Sequence, residues 1–437
     1  MRESAILFSK VPDNWPIAPI KSLAKYSVSN VNKHSLDNEE PIRLCNYTDV
    51  YKNERITLDM PLMKATATLE EISKFHLQIG DVVITKDSES WDDIAIPAYI
   101  AETSDDLVCG YHLAMIRPRL SVLDGRFLFR CLQSRPVALQ LELASTGVTR
   151  YGLPKGAIGG ALIPLPPVDI QEKIADFLDR ETAEIDVLVA EKARMLALLE
   201  EKREALISHI VTRGLDLDAP LKSSGLDWLG DIPRHWTTCQ LKRTWESSDY
   251  GISENIRGDG DIKVLRMTCI ENGVVDLFKG GGIESVDPWL LLREGDLLFN
   301  RTNSLDQIAK VGIVKSAPEQ PITFASYLVR IRTNNLALPE FLAIYLNSQE
   351  FLTFARKNAI PAIGQANLNP SRYGDIKIAL PPKSEQKEII SMIESERERT
   401  AALEKDLTHS MTLLKERRSA LITAAVTGQI ALEEMTA

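Results

Sequence analysis

Leu165-Pro166-Pro167-Val168-Asp169-Ile170-Gln171 introduces a run that contains neither proline nor glycine as far as Thr212. At an offset of 215 residues, Leu380-Pro381-Pro382-Lys383-Ser384-Glu385-Gln386 introduces a second such run, which lasts to Thr427. Gln171 and Ile174 match Gln386 and Ile389, and the match continues without a gap to the far end. There Glu201, Arg203, Ala205-Leu206-Ile207 and Val211-Thr212 meet Glu416, Arg418, Ala420-Leu421-Ile422 and Val426-Thr427. Roughly a third of the paired positions are identical, which marks an internal repeat. Each run is rich in Glu, Ala, Leu, Lys and Arg and follows a pair of prolines, so each predicts one long helix.

The same offset reaches upstream. Gly80-Asp81-Val82-Val83-Ile84 pairs with Gly295-Asp296-Leu297-Leu298-Phe299, a turn feeding a strand. Ile116-Arg117 pairs with Ile331-Arg332, and Asn14-Trp15 has a counterpart in His235-Trp236. The chain therefore carries one unit twice: a variable mixed region, a Leu-Pro-Pro hinge and a long helix. The variable parts diverge while the helices agree, as expected of two heads of different specificity on a common frame.

Each helix carries an approximate heptad pattern. In the first, Leu178, Ile185, Leu199 and Leu206 form one row, and Ile174, Leu188 and Met195 the complementary one. In the second, Ile393, Leu407, Leu414 and Leu421 form one row, with Ile389 and Leu403 in the other. Lys192, Glu181 and Lys202 interrupt the first seam. About 42 residues at about 1.5 Å each make a rod of roughly 60 Å. Two such rods can bury their seams on each other, and an antiparallel pair suits the equal spacing of heads and rods. A helical hairpin acting only as a spacer is the competing account.

The 437 residues exceed one ordinary domain, and 44% apolar content is enough for real cores. No run of about 18 uncharged apolar residues offers a membrane span, and Met1 to Trp15 lack an apolar centre, so the protein is read as cytoplasmic. The five cysteines are odd in number and scattered, which suits thiols in a reducing compartment. A net charge of −10 runs against nucleic-acid binding, which favours a basic face. The segments 170–213 and 385–428 together hold 14 basic and 18 acidic side chains, so any phosphate contact falls largely to partners.

The heads, about 11–164 and 233–379, read as α+β. Runs such as Asp81–Thr85, Gly312–Lys315 and Tyr327–Arg332 suit strands, and Gly125–Gln133 and Pro339–Asn347 suit helices. Two loop pairs carry the side chains suited to base recognition. One follows the Gly-Asp strand: Lys86, Ser88, Glu89, Ser90 and Trp91 in the first head, Asn300, Arg301, Asn303 and Ser304 in the second. The other precedes the hinge: Thr146, Gly147, Thr149, Arg150 and Tyr151, against Gly364, Gln365, Asn367, Asn369 and Arg372. Arg, Lys, Asn and Gln can pair bidentately with purine edges, while Ser and Thr reach phosphate or bases. A polar surface loop is the alternative at each position.

Catalytic signatures are absent. There is no phosphate-binding Gly-x-x-x-x-Gly-Lys loop, no Gly-x-Gly-x-x-Gly after a strand, no Gly-x-Ser-x-Gly elbow and no metal spacing among the six histidines. Asn369-Pro370-Ser371-Arg372 lacks the second proline and the aromatic of an amino-methyltransferase motif.

Three pieces together resemble the specificity subunit of type I restriction–modification systems. Ser224-Gly225-Leu226-Asp227-Trp228-Leu229-Gly230-Asp231-Ile232-Pro233, with His235-Trp236, looks like the segment that introduces a target recognition domain. Leu-Pro-Pro followed by Gln looks like the start of that family's conserved helix. Ala205-Leu206-Ile207 through Val211-Thr212, and Ala420-Leu421-Ile422 through Val426-Thr427-Gly428, look like its helix ends. The likeness spans nearly the whole chain, although the first head opens with the shorter Val11-Pro12-Asp13-Asn14-Trp15-Pro16.

The resemblance implies an α+β fold with a pseudo-two-fold repeat: two target recognition domains joined by conserved helices in an antiparallel coiled coil. It divides the chain into a first recognition domain at 11–168, a central helix at 169–215, a linker at 216–232, a second recognition domain at 233–383 and a C-terminal helix at 384–430. It implies a non-catalytic subunit that reads a bipartite, asymmetric duplex DNA target. Two modification subunits would bring S-adenosylmethionine-dependent adenine methylation. Restriction subunits would bring ATP- and Mg-dependent translocation and cleavage. Rod length would then set the unread spacer of the target. An interaction scaffold without DNA and a fused methyltransferase are the rival readings.

Overall fold

In a computed structural model that describes residues 7–253, 260–362 and 364–435, each proline-free run is one unbroken helix. The central helix is Val168–Arg213 and the C-terminal helix is Lys383–Val426, 46 and 44 residues long. Proline fits ahead of a first turn because the donor it lacks would be unpaired there anyway. Gly214 and Gly428 end the helices in the left-handed region, with φ of +81° and +70°. Both positions are also crowded. A Cβ on Gly428 would stand 2.6 Å from the Pro12 ring and 3.1 Å from Trp15, and one on Gly214 would stand 3.4 Å from Trp236.

The chain divides into two units, Met1–Ala193 with Thr408–Ala437, and Arg194–Leu407. Each holds one head and parts of both helices. In the first unit Arg418, late in the C-terminal helix, reaches Asp186 in the first half of the central helix at 2.8 and 3.0 Å. In the second unit Arg203, late in the central helix, reaches Glu404 at 3.2 Å. Late turns of one helix therefore lie against earlier turns of the other in both units, so the pair is antiparallel.

The seam differs from its expected rows at three positions. Leu188, Met195 and Leu403 are exposed, at 45%, 56% and 48%. The covered row lies one residue later in each case: Thr182, Val189, Leu196, Arg203 and Ile210 in the central helix, and Arg397, Glu404, Met411, Arg418 and Ala425 in the C-terminal helix. Polar side chains occupy much of that row and are held by ion pairs across the helices, so apolarity alone points to the wrong neighbours. Ile174, Leu178, Ile185, Ile389 and Ile393 are buried, Ile174 and Leu178 in the core of the first head and Ile389 and Ile393 in that of the second, and Leu199, Leu206, Leu407, Leu414 and Leu421 are half-buried.

In the first unit a five-stranded sheet runs Ala24–Val28, Leu113–Pro118, Val82–Thr85, Pro97–Ile100 and Arg55–Ile56 in spatial order. In the second a six-stranded sheet runs Trp245–Tyr250, Leu328–Thr333, Leu297–Asn300, Val311–Ile313, Val274–Val275 and Ile270–Glu271. The two central pairings, Leu113–Pro118 on Val82–Thr85 and Leu328–Thr333 on Leu297–Asn300, are antiparallel and lie at the 215-residue offset. Core residues on one face, such as Ile84, Ile116 and Phe127 or Phe299, Val329 and Phe341, pack with the helix ends Ile174 or Ile389. The stretch 216–232 is structured: Leu221–Ser223 pairs with Asp231–Pro233, and Trp228 stacks on Phe354 at 5.2 Å.

The repeated glutamine clamps helix to head. Buried Gln171 accepts the Asp124 N–H at 2.8 Å and donates to the carbonyls of Val122 and Pro166 at 3.0 and 2.7 Å. Gln386 accepts the Leu338 N–H at 2.8 Å and donates to Leu336 and Pro381, each at 3.0 Å. A buried amide with three partners is well satisfied, and no other residue type offers the same acceptor and donors at that reach.

Candidate nucleic-acid interface

The two loop pairs read from the sequence meet in one small sheet in each head. In the first, Asp87–Ser88 pairs with Tyr151–Gly152, which pairs with Thr146–Gly147. In the second, Thr302–Asn303 pairs with Gln365–Asn367, which pairs with Ile360–Ala362. The residue before each first strand is fixed by two main-chain bonds. Lys86 N–H donates to the His112 carbonyl and its own carbonyl accepts from Leu153, both at 2.8 Å. Arg301 N–H donates to the Tyr327 carbonyl at 3.1 Å and its carbonyl accepts from Leu368 at 2.7 Å. All of these partners lie at the 215-residue offset. The backbone frame is thus repeated while the side chains on it change: Lys86 to Arg301, Asp87 to Thr302, Ser88 to Asn303, His112 to Tyr327, Arg150 to Gln365 and Gly152 to Asn367.

Asp87 organises the first head's surface. His112 Nδ1 donates to its Oδ2 at 2.6 Å and Lys86 Nζ lies 3.0 Å from the same oxygen. Burial opposes ionisation of Asp87, but the hydrogen bonds from His112 and Lys86 outweigh it and hold the carboxyl below its usual range. Arg150 Nη2 rests against the imidazole, 3.3 Å from Nδ1 and 3.4 Å from Nε2. Tyr111 lies against the same ring, with centroids 3.9 Å apart. Tyr47 stacks on Tyr51 at 5.6 Å; burial pushes its phenol up and a hydrogen bond with Ser88 draws it back. Trp91, Thr149 and Arg150 are exposed and Tyr151 is half-buried. Ser88 is buried and its hydroxyl accepts the Ser90 N–H at 3.2 Å, so it supports the loop from within.

In the second head Arg301 lies over the Tyr250 ring at 5.1 Å and donates to the Ser326 carbonyl at 3.3 Å and to Asn367 Oδ1 at 3.4 Å. Asn367 donates in turn to the Thr302 hydroxyl at 2.9 Å. Asn303 folds back on the Ser304 N–H at 2.8 Å, and Asn369 caps the next helix by accepting the Ser371 N–H at 2.7 Å. Gln365 and Arg372 are exposed. Asn300 is 1% exposed and its side-chain oxygen has no partner, so it is an interior residue of the strand. Sequence reasoning singled out neither Asp87 and His112 nor Tyr47, Tyr250 and Tyr327. His112 is 25 residues from Asp87 and no local pattern joins them; the repeat offset alone, linking His112 to Tyr327, could have pointed to it.

Each surface presents cations, amides and aromatic rings, the groups that meet base edges and phosphates. Among the described residues no three His, Cys, Asp or Glu side chains come together to hold a metal, and no helix is long and apolar enough to cross a membrane. Burial pushes the thiols of Cys45, Cys109, Cys131 and Cys269 up, the last to about 12, which disfavours the nucleophilic thiolate.

Comparison with known proteins places these observations. The family described as "Type I restriction modification DNA specificity domain" matches residues 12–194 and 238–411, once per half. The type I restriction enzyme EcoKI specificity subunit of Escherichia coli (strain K12) is 23% identical over 96% of this chain and 90% of its own. The MjaVIII specificity subunit of Methanocaldococcus jannaschii is 22% identical over 93% of each chain. A chain from a type I R-M system structure, solved for its complex assembly and conformational transition, superposes with a TM-score of 0.72 at 15% identity, over 96% of this chain and 99% of that one. The HsdS subunit from Thermoanaerobacter tengcongensis superposes at 0.54 with 16% identity, over 96% of this chain and 98% of that one.

Proposed function

The chain belongs to the type I restriction–modification DNA specificity family, and from that premise we propose that each of its heads reads one half of a split, asymmetric DNA sequence. It is a specificity subunit and itself performs no catalysis. Two modification subunits bind it and methylate adenine with S-adenosylmethionine, and restriction subunits add ATP- and Mg-driven translocation and cleavage. The length of the long helices sets the unread spacer between the halves.

One observation carries the reading: the same main-chain bonds hold Lys86 and Arg301 at the 215-residue offset, while the side chains displayed around them differ. A repeated frame with altered donors and acceptors suits a molecule that must treat two different base sequences in the same way. The acidic balance fits a subunit that relies on partners for much of its phosphate contact.

The test is methylation mapping of a host genome carrying this chain and its modification subunits. A bipartite motif is expected, and Arg301→Ala should relax one half and leave the other intact. An undivided motif, or simultaneous loss of both halves, overturns the proposal.

A further inference from the structure

The side chains displayed on the small sheet differ in chemistry between the two heads. Asp87 is the acceptor on the edge strand of its small sheet, yet both of its oxygens are engaged. Oδ1 accepts from Lys86 at 3.2 Å, and Oδ2 accepts from His112 at 2.6 Å. Lys86 is in turn held by Asp87 and only 18% exposed. Arg150 is different. It is exposed, stands beside Gly147 in the tight turn of the hairpin, and has no carboxylate partner among the described residues. Its contact with His112 is made by Nη2 alone; since Nδ1 already donates to Asp87, the ring can accept at most one of the two N–H groups on Nη2, and one edge of the guanidinium keeps two parallel donors. His112 is fixed from the other side by Asp87, so the ring under the guanidinium does not swing away. A planar fork with two parallel donors matches the N7 and O6 acceptors on the major-groove edge of guanine.

The second head gives the contrast. Gln365 occupies the frame position of Arg150, is exposed, and carries an amide that both donates and accepts. That combination matches adenine, whose edge pairs an N7 acceptor with an N6 donor. We propose that the first head reads a guanine through Arg150 and that the second reads an adenine through Gln365. This rests on the reading of the chain as a bipartite DNA-specificity subunit and adds which base class each half contains and which residue selects it.

The experiment uses the chain in complex with its modification subunits. The motif is mapped for the natural chain and for Arg150→Gln, which installs the second head's residue in the first. A G·C pair in one half should relax or turn to A·T, with the other half unchanged; the intact half shows that the variant is folded. In a second arm the unaltered complex is titrated with a duplex of the mapped motif in which 7-deazaguanine, lacking the N7 acceptor, replaces that guanine. Binding should weaken roughly 5- to 100-fold, the range for losing one bidentate base contact. In the reciprocal variant, Gln365→Arg should turn an A·T pair of the other half toward G·C. The proposal fails if Arg150→Gln leaves both halves unchanged, if the altered position is an A·T pair, or if 7-deazaguanine has no effect, even though a bipartite motif persists. Absence of any bipartite motif with the natural chain sinks the underlying reading instead, and this assignment with it.

Discussion

Asp296 receives Arg332 through two hydrogen bonds, Nε to Oδ1 at 2.7 Å and Nη2 to Oδ2 at 3.1 Å. The same carboxylate accepts the Arg293 N–H at 2.9 Å, closing the turn that Gly295 makes with φ of +82°. Asp81 repeats the arrangement with Arg117 at 2.8 and 2.6 Å and with the Gln78 N–H at 2.8 Å. This is the physical content of the Gly-Asp signature. One side chain shapes the turn and anchors the neighbouring strand. Asp296→Ala leaves Arg332 without its partner in a largely buried place, which costs about 3 kcal/mol. The check is the urea midpoint of the second unit's transition, which should fall, and an unchanged midpoint contradicts the assignment.

Gln171 and Gln386 each satisfy three main-chain or hinge groups from the first turn of a long helix. Replacement by leucine keeps the volume and strands the Asp124 or Leu338 N–H. Each variant should lose about 2 to 3 kcal/mol, with the two losses similar. Parallel denaturation of Gln171→Leu and Gln386→Leu measures this, and a large difference between them contradicts the equivalence of the clamps.

The corrected helix rows give a sharper contrast. Ile185 and Ile393 are buried, and truncation to alanine should cost about 2 to 4 kcal/mol each. Leu188, Met195 and Leu403 point outward in the chain alone, and the same truncation should cost within about 0.5 kcal/mol. Thermal denaturation of the five variants separates the two rows. Equal losses restore the rows first read from apolarity.

Acid sensitivity of the first unit has an identifiable source. Burial raises the Asp179 carboxyl, but hydrogen bonds from Arg130 at 2.8 Å and Arg55 at 2.7 Å outweigh it and leave it lowered. A carboxyl lowered on folding contributes stability in full above its unfolded value of about 3.9, and loses it as pH falls through the lower folded value. Asp179→Asn should therefore be less stable than the natural chain at pH 7, and the gap should shrink below about pH 4. Urea titrations at the two pH values read it, and a gap that widens in acid contradicts the argument.

Both long helices, their antiparallel pairing and the duplicated heads were legible in the sequence, because a gap-free repeat and an absence of Pro and Gly survive without any tertiary context. The small three-stranded sheet of each head was half legible. Residues 86–91 and 146–151 stood out by composition, but nothing local says that Ser88 pairs with Tyr151 or that His112 holds Asp87. Contacts between distant segments leave no periodic trace. Ser88 and Asn300 were expected at the surface because their types are polar, yet both are buried, Asn300 in a strand covered on both faces. The seam slipped by one residue because Arg203, Glu404 and Arg418 fill a covered row through ion pairs, and apolar neighbours lie beside them.

Gly428 seats the end of the C-terminal helix on Pro12 and Trp15, as Gly214 seats the end of the central helix on Pro233 and Trp236. In each unit the start of a head thus lies against the end of a long helix, and residue 428 comes back beside residues 12 and 15. A gene rotated to begin in 216–220, before the Leu221–Ser223 strand, with the original termini linked by glycines so that Phe8 and Met435 are kept, retains both of these seats and should yield a chain that folds and methylates the same sites.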